Sequence, residues 1–265
     1  MKHRQIIFTL LAVPFVHQVF AERVPLKIIP SENGWKGAGI RDVQKLLTST
    51  ANELWKYAYD RELKPIVVNN SSGGPIVYFK RGRNGEFRVK LDTGGTYWSQ
   101  YAFQFSHEFC HILCHYKEAD KTNLWFEETL CECASLFTLR AMSRSWEQNP
   151  PYPNWKNYRH SLYNYAQDRI NAHKLGRGLS LKTWYAKHAD HLKNHATDRP
   201  KNTTMAIELL PLFEKTPEAW AAVSFINKGR GRETQSFKTY LDNWANNCPA
   251  EYRVVVQEIQ NMFGL

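Results

Sequence analysis

The sequence predicts an α+β fold, with a small mixed α+β unit at residues 22–148 and an all-helical unit at residues 149–265. Segments typical of short strands lie in the first unit, and helical periodicity dominates the second. Three prolines within residues 150–153 interrupt the helical pattern between them. A content of 43% hydrophobic and 23% charged residues is typical of a globular protein with an apolar core. It excludes intrinsically disordered and collagen-like chains.

The first 21 residues are predicted to be a secretory signal peptide. Lys2 and Arg4 precede a mostly apolar run at residues 6–16, and Val19 and Ala21 occupy the small-residue positions of a cleavage site. No apolar run reaches the roughly 18 residues that a transmembrane helix needs. We therefore expect a mature chain that begins near residue 22, has no membrane span and is secreted or periplasmic.

The chain carries 35 basic and 25 acidic residues, which gives a formal net charge of +10. Such an excess favours anionic surfaces, for example cell-envelope polymers. The basic residues are scattered, and no zinc-finger, RNA-recognition or basic-zipper pattern accompanies them. We therefore expect electrostatic attraction to an anionic envelope surface and no specific nucleic-acid site.

The elements of the first unit follow from local patterns. Apolar residues at helical spacing predict a helix over residues 41–59. A β-branched run predicts a strand at residues 66–68. Residues 76–80 and 87–91 flank an Asn-Gly pair, which is a strong signal for a β-hairpin. Two long helices are expected next, over residues 97–116 and 125–144.

The second unit is predicted to contain helices only. Loops that mostly contain glycine or proline separate six segments with helical patterns. These segments are residues 158–172, 181–196, 204–213, 217–226, 235–245 and 251–262.

Two histidines one helical turn apart form the first part of a candidate metal site. His107 and His111 enclose Glu108 in an H-E-x-x-H sequence inside the predicted helix. On a helix both histidines lie on one face and can bind the same ion. Glu108 lies on the adjoining face, where its carboxylate can take a proton from an activated water. Alone, the motif is equally compatible with two surface histidines and a solvated glutamate.

A catalytic zinc site uses three protein ligands, so a third ligand must lie outside this turn. His115 is excluded, because eight residues along a helix separate it from His107 by about 12 Å. The next predicted helix offers Glu128 and Glu132 on one face. We expect Glu128 to bind the ion and Glu132 to accept a hydrogen bond from a ligand histidine. The phase of this helix makes Glu127 the weaker candidate.

This arrangement resembles the gluzincin group of zinc metallopeptidases. H-E-x-x-H at residues 107–111, then Trp125-x-x-Glu128 with Glu132 four residues later, is similar to the pattern of that group. The resemblance covers roughly residues 76–145. It implies a zincin-like fold, with a small mixed sheet, an active-site helix and a glutamate-ligand helix, followed by a mostly helical domain. It implies Zn²⁺ as the cofactor, and an extended peptide aligned along the edge of the hairpin.

The chain also departs from the pattern of the group. Thr129 follows the glutamate where many members have glycine, and no Gly-x-Met-Glu-Asn sequence of the aminopeptidases precedes the motif. We therefore expect an exported zinc metallopeptidase, an endopeptidase rather than an aminopeptidase, that hydrolyses peptide or protein substrates with a metal-activated water and Glu108 as general base. The alternative is a catalytically silent zincin-fold protein that acts as an envelope-binding or interaction module.

The cysteines near the motif allow three interpretations. A disulfide from Cys110 or Cys114 to Cys131 would join the two ligand helices. The same three residues with a histidine could instead hold a structural zinc ion. Free cysteines are also commonly small core residues.

The resemblance to gluzincins also implies that the helical unit supplies a hydrogen-bond donor to the developing oxyanion. The sequence does not select one. The candidates are Tyr163, Tyr165, Tyr185, His188, His191 and His195.

Overall fold

The computed structural model describes residues 25–58, 62–118, 121–228 and 233–265. The predicted signal peptide at residues 1–21 lies outside them. The described residues combine one small sheet with helices, so the α+β class is confirmed. None of the helices in this part of the chain is both long and apolar enough to cross a membrane.

A four-stranded mixed sheet lies near the N-terminus. Its strands are β1 (Ile28–Pro30), β2 (Ile66–Asn70), β3 (Ile76–Val77) and β4 (Phe87–Leu91). The strand order is β1-β2-β4-β3, in which the first three are parallel and β3 pairs antiparallel with β4. This pairing confirms the predicted hairpin, and Gly85 in its loop has a φ of 80°, which favours glycine.

Two details of the sheet differ from the sequence-based expectation. β1 was not expected, because three residues are too few for an alternating pattern to be recognised. β3 ends at Val77 rather than at residue 80. Beyond Val77, the Tyr78 amide still bonds the Arg88 carbonyl, and the Gly82 amide bonds the Glu86 carbonyl in the loop. β3 therefore forms a short edge strand.

Helix α1 (Ile40–Trp55) connects β1 to β2, and helices α2 (Trp98–Leu113) and α3 (Leu124–Ser145) follow β4. All three lie close to their predicted positions. Every residue of α2 except Gln100 is buried. A helix that is buried on all sides is typical of a central position, and α2 packs against β3, β4, α1 and α3. The H-E-x-x-H sequence therefore lies in the interior, and the interpretation as two surface histidines is wrong.

The second half of the described chain is helical, as predicted. Its helices are α4 (Arg159–His173), α5 (Leu181–Asn194), α6 (Arg199–Lys215), α7 (Trp220–Val223), α8 (Phe237–Asn247) and α9 (Ala250–Phe263). Short 3₁₀ turns precede α4 and α7, so the helix expected at residues 217–226 is shorter than predicted. The aromatic rings of Trp125 and Phe126 pack on Phe237 at centroid distances of 4.6 and 5.0 Å. The apolar core is thus continuous between the two halves.

α6 begins at Arg199, five residues earlier than expected, because Asp198 caps it. One carboxylate oxygen of Asp198 accepts a hydrogen bond from the backbone amide of Lys201, and the other accepts bonds from the Lys201 ammonium and His191 Nε2. Pro200 suits the first turn of a helix, where an amide hydrogen is not needed. Burial opposes ionisation of Asp198, but the bonds from Lys201 and His191 outweigh it and lower its pKa to about 2.

Removal of this cap is expected to destabilise the protein. The substitution Asp198→Ala should lower the free energy of unfolding by about 1 kcal/mol, which is typical for loss of an N-cap. Asp190→Ala is the matched control, because the Asp190 side chain is 95% exposed and forms only a surface ion pair. Urea unfolding of the two variants and the wild type measures the difference.

The contribution of Asp198 to stability should also depend on pH. A carboxyl group whose pKa is lower in the folded state stabilises the folded protein at pH values above its unfolded pKa. The difference between Asp198→Ala and the wild type should therefore persist at neutral pH and disappear as the pH falls towards 2. Equal stabilities of the two variants at pH 7 would contradict the capping role.

Candidate metal centre

The site lies between α2 and α3, with each helix supplying part of it. His107, Glu108 and His111 of α2 are 3%, 3% and 8% exposed. Between residues 125 and 139 of α3, Glu128 is the one residue that is not buried. Its side chain, 13% exposed, opens the site towards solvent.

The carboxylate of Glu128 lies against both histidines of the motif. Glu128 Oε2 is 3.2 Å from His107 Nε2, and Glu128 Oε1 is 3.6 Å from His111 Nε2. Two ligands bound to one tetrahedral zinc ion at about 2.1 Å lie about 3.4 Å apart. The three side chains that the sequence selects as ligands are therefore brought together at ligand-like spacing.

The other ring nitrogens of the histidines are directed towards a second pair of carboxylates. His111 Nδ1 is 2.8 Å from Glu127 Oε1, and the second oxygen of Glu127 accepts a hydrogen bond of 2.7 Å from Asn227. His107 Nδ1 is 3.7 Å from Glu132 Oε2, which places Glu132 beside this histidine as expected, although beyond ordinary hydrogen-bond distance. Carboxylates behind ligand histidines commonly fix their tautomer and orientation.

The charges of this cluster depend strongly on one another. Burial disfavours a charged His107, but Glu128 and Glu132 outweigh it and raise its pKa to about 10. Burial likewise disfavours a charged His111, and the carboxylates of Glu128 and Glu127 raise its pKa to about 9. Burial raises the pKa of Glu128, but the two histidines outweigh burial and lower this pKa to about 2. The cluster therefore requires positive charge between its carboxylates.

A zinc ion fits the residues that are present. Histidine nitrogen and carboxylate oxygen are ligands that Zn²⁺ prefers, and three of them leave a position for water or substrate. Because the Nδ1 atoms of both histidines are directed towards Glu127 and Glu132, both Nε2 atoms can serve as donors of neutral imidazoles. The two charges of the ion would then replace the two imidazolium protons.

Glu108 lies beside the two histidines on the same helix, and its carboxyl group is almost fully buried. Burial raises its pKa, while the charges of His107 and His111 act in the opposite direction. A carboxyl group with a raised pKa is a better proton acceptor in neutral solution. Its position adjoining the donors is the one that the motif predicts for a general base.

Three cysteine thiols lie behind the site. All five cysteines of the chain are free and buried, so the structure contains none of the disulfides considered from the sequence. The sulfur atoms of Cys110, Cys114 and Cys131 lie within 4.8 Å of one another, and that of Cys131 also lies within 4.8 Å of a nitrogen of each histidine. Burial raises the pKa of the Cys131 thiol well above its usual value, which disfavours the thiolate that a metal needs. Glu128 is therefore the better third ligand, because its carboxylate is already ionised.

The oxyanion donors considered from the sequence are engaged elsewhere. Tyr165 accepts a hydrogen bond from Arg169, and Tyr185 stacks on Trp125. The other four make contacts away from the motif: Tyr163 with Arg140, His188 with Trp184, and His191 with Asp198 and His195. Within the described residues, none of the six is hydrogen-bonded to the motif histidines, Glu108 or Glu128.

Sequence reasoning missed several residues of the site. Glu127 is the weaker ligand candidate by helical phase, yet it contacts His111 from the buried face of α3 beside Glu128. Asn227 and Thr203 come from distant segments and bind the carboxylates of Glu127 and Glu132. No local pattern identifies them, because their role exists only once the halves of the chain pack together.

Comparisons with protein-family models, with curated proteins and with solved structures find no match to this chain. Function is therefore inferred from the chemistry of the site alone. The resemblance to gluzincins stays a prediction from residues 107–132.

The contact behind His111 gives a test of the metal centre. Glu127→Gln should weaken zinc binding by about 10- to 100-fold, because the amide holds the imidazole less strongly and contributes no negative charge. Glu147→Gln is the matched control, since the side chain of Glu147 is 50% exposed and remote from the motif. Competition with a chromogenic chelator measures both dissociation constants. Unchanged affinity in Glu127→Gln would show that this carboxylate does not support a metal ligand.

Proposed function

We propose that this protein is an exported zinc metallopeptidase of the gluzincin type with a zincin-like fold. His107, His111 and Glu128 would hold the ion, with Glu127 and Glu132 behind the histidines. The observation that carries the proposal is the convergence of the two Nε2 atoms on the Glu128 carboxylate, at 3.2 and 3.6 Å. In a purely structural role, each of these buried carboxylates would still cost free energy of desolvation.

When bound, Zn²⁺ would supply a Lewis acid and a water molecule of lowered pKa. Glu108 takes the proton of the attacking water and passes it to the nitrogen of the leaving amine. Burial keeps competing water away from Glu108 and makes its carboxylate basic enough for this transfer. Thr203 and Asn227 hold Glu132 and Glu127 in place, and these two carboxylates orient the ligand histidines.

The edge strand β3 offers a place for an extended peptide. β3 lies at the end of the sheet, and its neighbour Tyr78 accepts a hydrogen bond at its carbonyl from the hydroxyl of Tyr116. The Tyr116 ring is 6.4 Å from the ring of His111, so this contact links the strand to the site. Ile76 and Phe79 are 45% and 57% exposed beside it. Main-chain pairing along β3 would align a peptide substrate, and these apolar side chains would contact its residues.

Export to a secreted or periplasmic location is part of the proposal and rests on residues 1–21. The alternative is a catalytically silent module that binds an anionic envelope surface. The net charge favours it, since the sequence carries +10, or +8 once Lys2 and Arg4 of the predicted signal peptide are removed. Such a module has no need for Glu108, although burial of this carboxyl group costs free energy of desolvation.

Two substitutions separate metal binding from catalysis. The wild type should contain near-stoichiometric zinc by mass spectrometry and should cleave members of a peptide library. Glu128→Gln should lose most of the zinc, because it removes an anionic ligand. Glu108→Gln should keep the zinc and lose activity by about 100-fold or more, because the proton acceptor is absent.

The outcomes distinguish the candidate functions. Absence of zinc from the wild type, even after reconstitution, would contradict the metallopeptidase. Zinc without peptide cleavage, together with unchanged binding to anionic polymers in Glu108→Gln, would support the silent module.

A further inference from the structure

α6 runs parallel to α3 and brings its first turn to the metal centre. Thr203 donates a hydrogen bond of 2.8 Å to Glu132. Further along, Arg140 of α3 pairs with Glu214 of α6 at 2.9 Å, which fixes the parallel direction. One turn before Thr203 is Arg199, and one turn before Glu132 is Glu128. Arg199 therefore lies level with Glu128, at the point where the site opens to solvent.

The guanidinium of Arg199 has N–H groups that can donate hydrogen bonds to a further ligand. Its side chain is exposed, and it makes no ion pair within 4.0 Å with any residue that the structure describes. The adjacent Asp198 does not neutralise it, because that carboxylate is bonded to Lys201 and His191. Burial raises the pKa values of Glu108 and Glu128, and the positive charges of the two histidines lower them. The positive charge of Arg199 also lowers both pKa values, by a smaller amount. The register of the two helices thus places Arg199 beside Glu128, whose carboxylate contacts both motif histidines.

A second polar group near Glu108 is Tyr116, and it is a weaker donor. Its hydroxyl proton is already donated to the carbonyl of Tyr78. Burial and the negative charge of Glu108 raise the pKa of Tyr116, while Arg81 opposes them. If Tyr116 acted as the donor in the reaction, it would lose its hydrogen bond to the hairpin. Arg199 would lose no hydrogen bond to any side chain that the structure describes.

We propose that Arg199 is a further catalytic residue, which donates hydrogen bonds to the oxyanion that forms on the substrate carbonyl. This inference rests on the proposed peptidase function. The water oxygen forms a bond to the carbonyl carbon, the π electrons of the carbonyl move to its oxygen, and Glu108 accepts the water proton. Arg199 keeps all its protons and stabilises the new negative charge, as guanidinium donors do with carboxylates and phosphates.

Phosphate binding tests this role without the need for a known substrate. The protein is loaded with Co²⁺, whose visible absorbance reports a change of ligand, and titrated with inorganic phosphate as a tetrahedral oxyanion. Arg199→Ala should raise the phosphate dissociation constant by about 10-fold or more, because a charge-assisted hydrogen bond is lost. Arg199→Lys should recover part of the affinity, since it keeps the charge but not the paired donors. Lys187→Ala, the loss of an exposed cation from the same helical half, should leave the affinity unchanged.

Each outcome bears on one proposal. Equal phosphate affinities of the Co²⁺-loaded wild type and Arg199→Ala would overturn the role of Arg199 and leave the metal site standing. An equal loss in Lys187→Ala would also overturn it, because the effect would then be one of net charge. Failure of the wild type to bind Co²⁺ would overturn the proposed metal centre, and the inference about Arg199 with it.

Discussion

The burial of charge between α2 and α3 is the constraint on which the rest of the site depends. Glu108, Glu127 and Glu132 are each 3% exposed or less, in an interior where an unpaired carboxylate is costly. Two of these carboxylates face the histidine Nδ1 atoms, and each accepts a hydrogen bond from a further side chain. Glu127 accepts a bond from Asn227, and Glu132 accepts one from Thr203. Both partners belong to the helical half, so these hydrogen bonds join that half to the motif in addition to the shared apolar core.

The same constraint gives the site two chemically different sides. On the inner side, burial raises the pKa values of the Cys114 and Cys131 thiols well above their usual range. On the outer side, the contacts with the histidines keep Glu128 ionised. A divalent ion is attracted to carboxylate and imidazole more than to these two neutral thiols, because thiols bind metals as thiolates. The third thiol, Cys110, differs: burial opposes its ionisation, but hydrogen bonds with Cys114 and Cys131 outweigh burial and lower its pKa to about 6. The cysteines then contribute small, polarizable side chains that allow α2 and α3 to approach closely.

Local signals in the sequence account for the elements and for part of the site. Asn84-Gly85 predicted the hairpin, and the i, i+4 spacing of the motif placed both histidines on one face. Helical periodicity predicts which face of a helix a residue lies on. It does not predict which neighbouring element packs against that face. On α3 both flanks of Glu128 are buried, so phase alone could not assign Glu127, which meets His111. A signal for the start of α6 was present in the sequence, since Asp198 followed by Pro200 is typical of a capped first turn.

That cap connects helix stability with the chemistry of the site. Asp198 binds the first turn of α6 and the side chain of His191, and so determines where Arg199 emerges from the helix. Because Glu128 is the point at which α3 is open to solvent, a substrate of the proposed peptidase would approach between Glu128 and this turn. The partial positive charge of a helix N-terminus acts in the same direction as the guanidinium. The opening of the site therefore carries the positive charge of Arg199 beside the ionised carboxylate of Glu128. In the proposed reaction, that positive charge would stabilise the negative charge that develops on the substrate while a proton moves inward to Glu108.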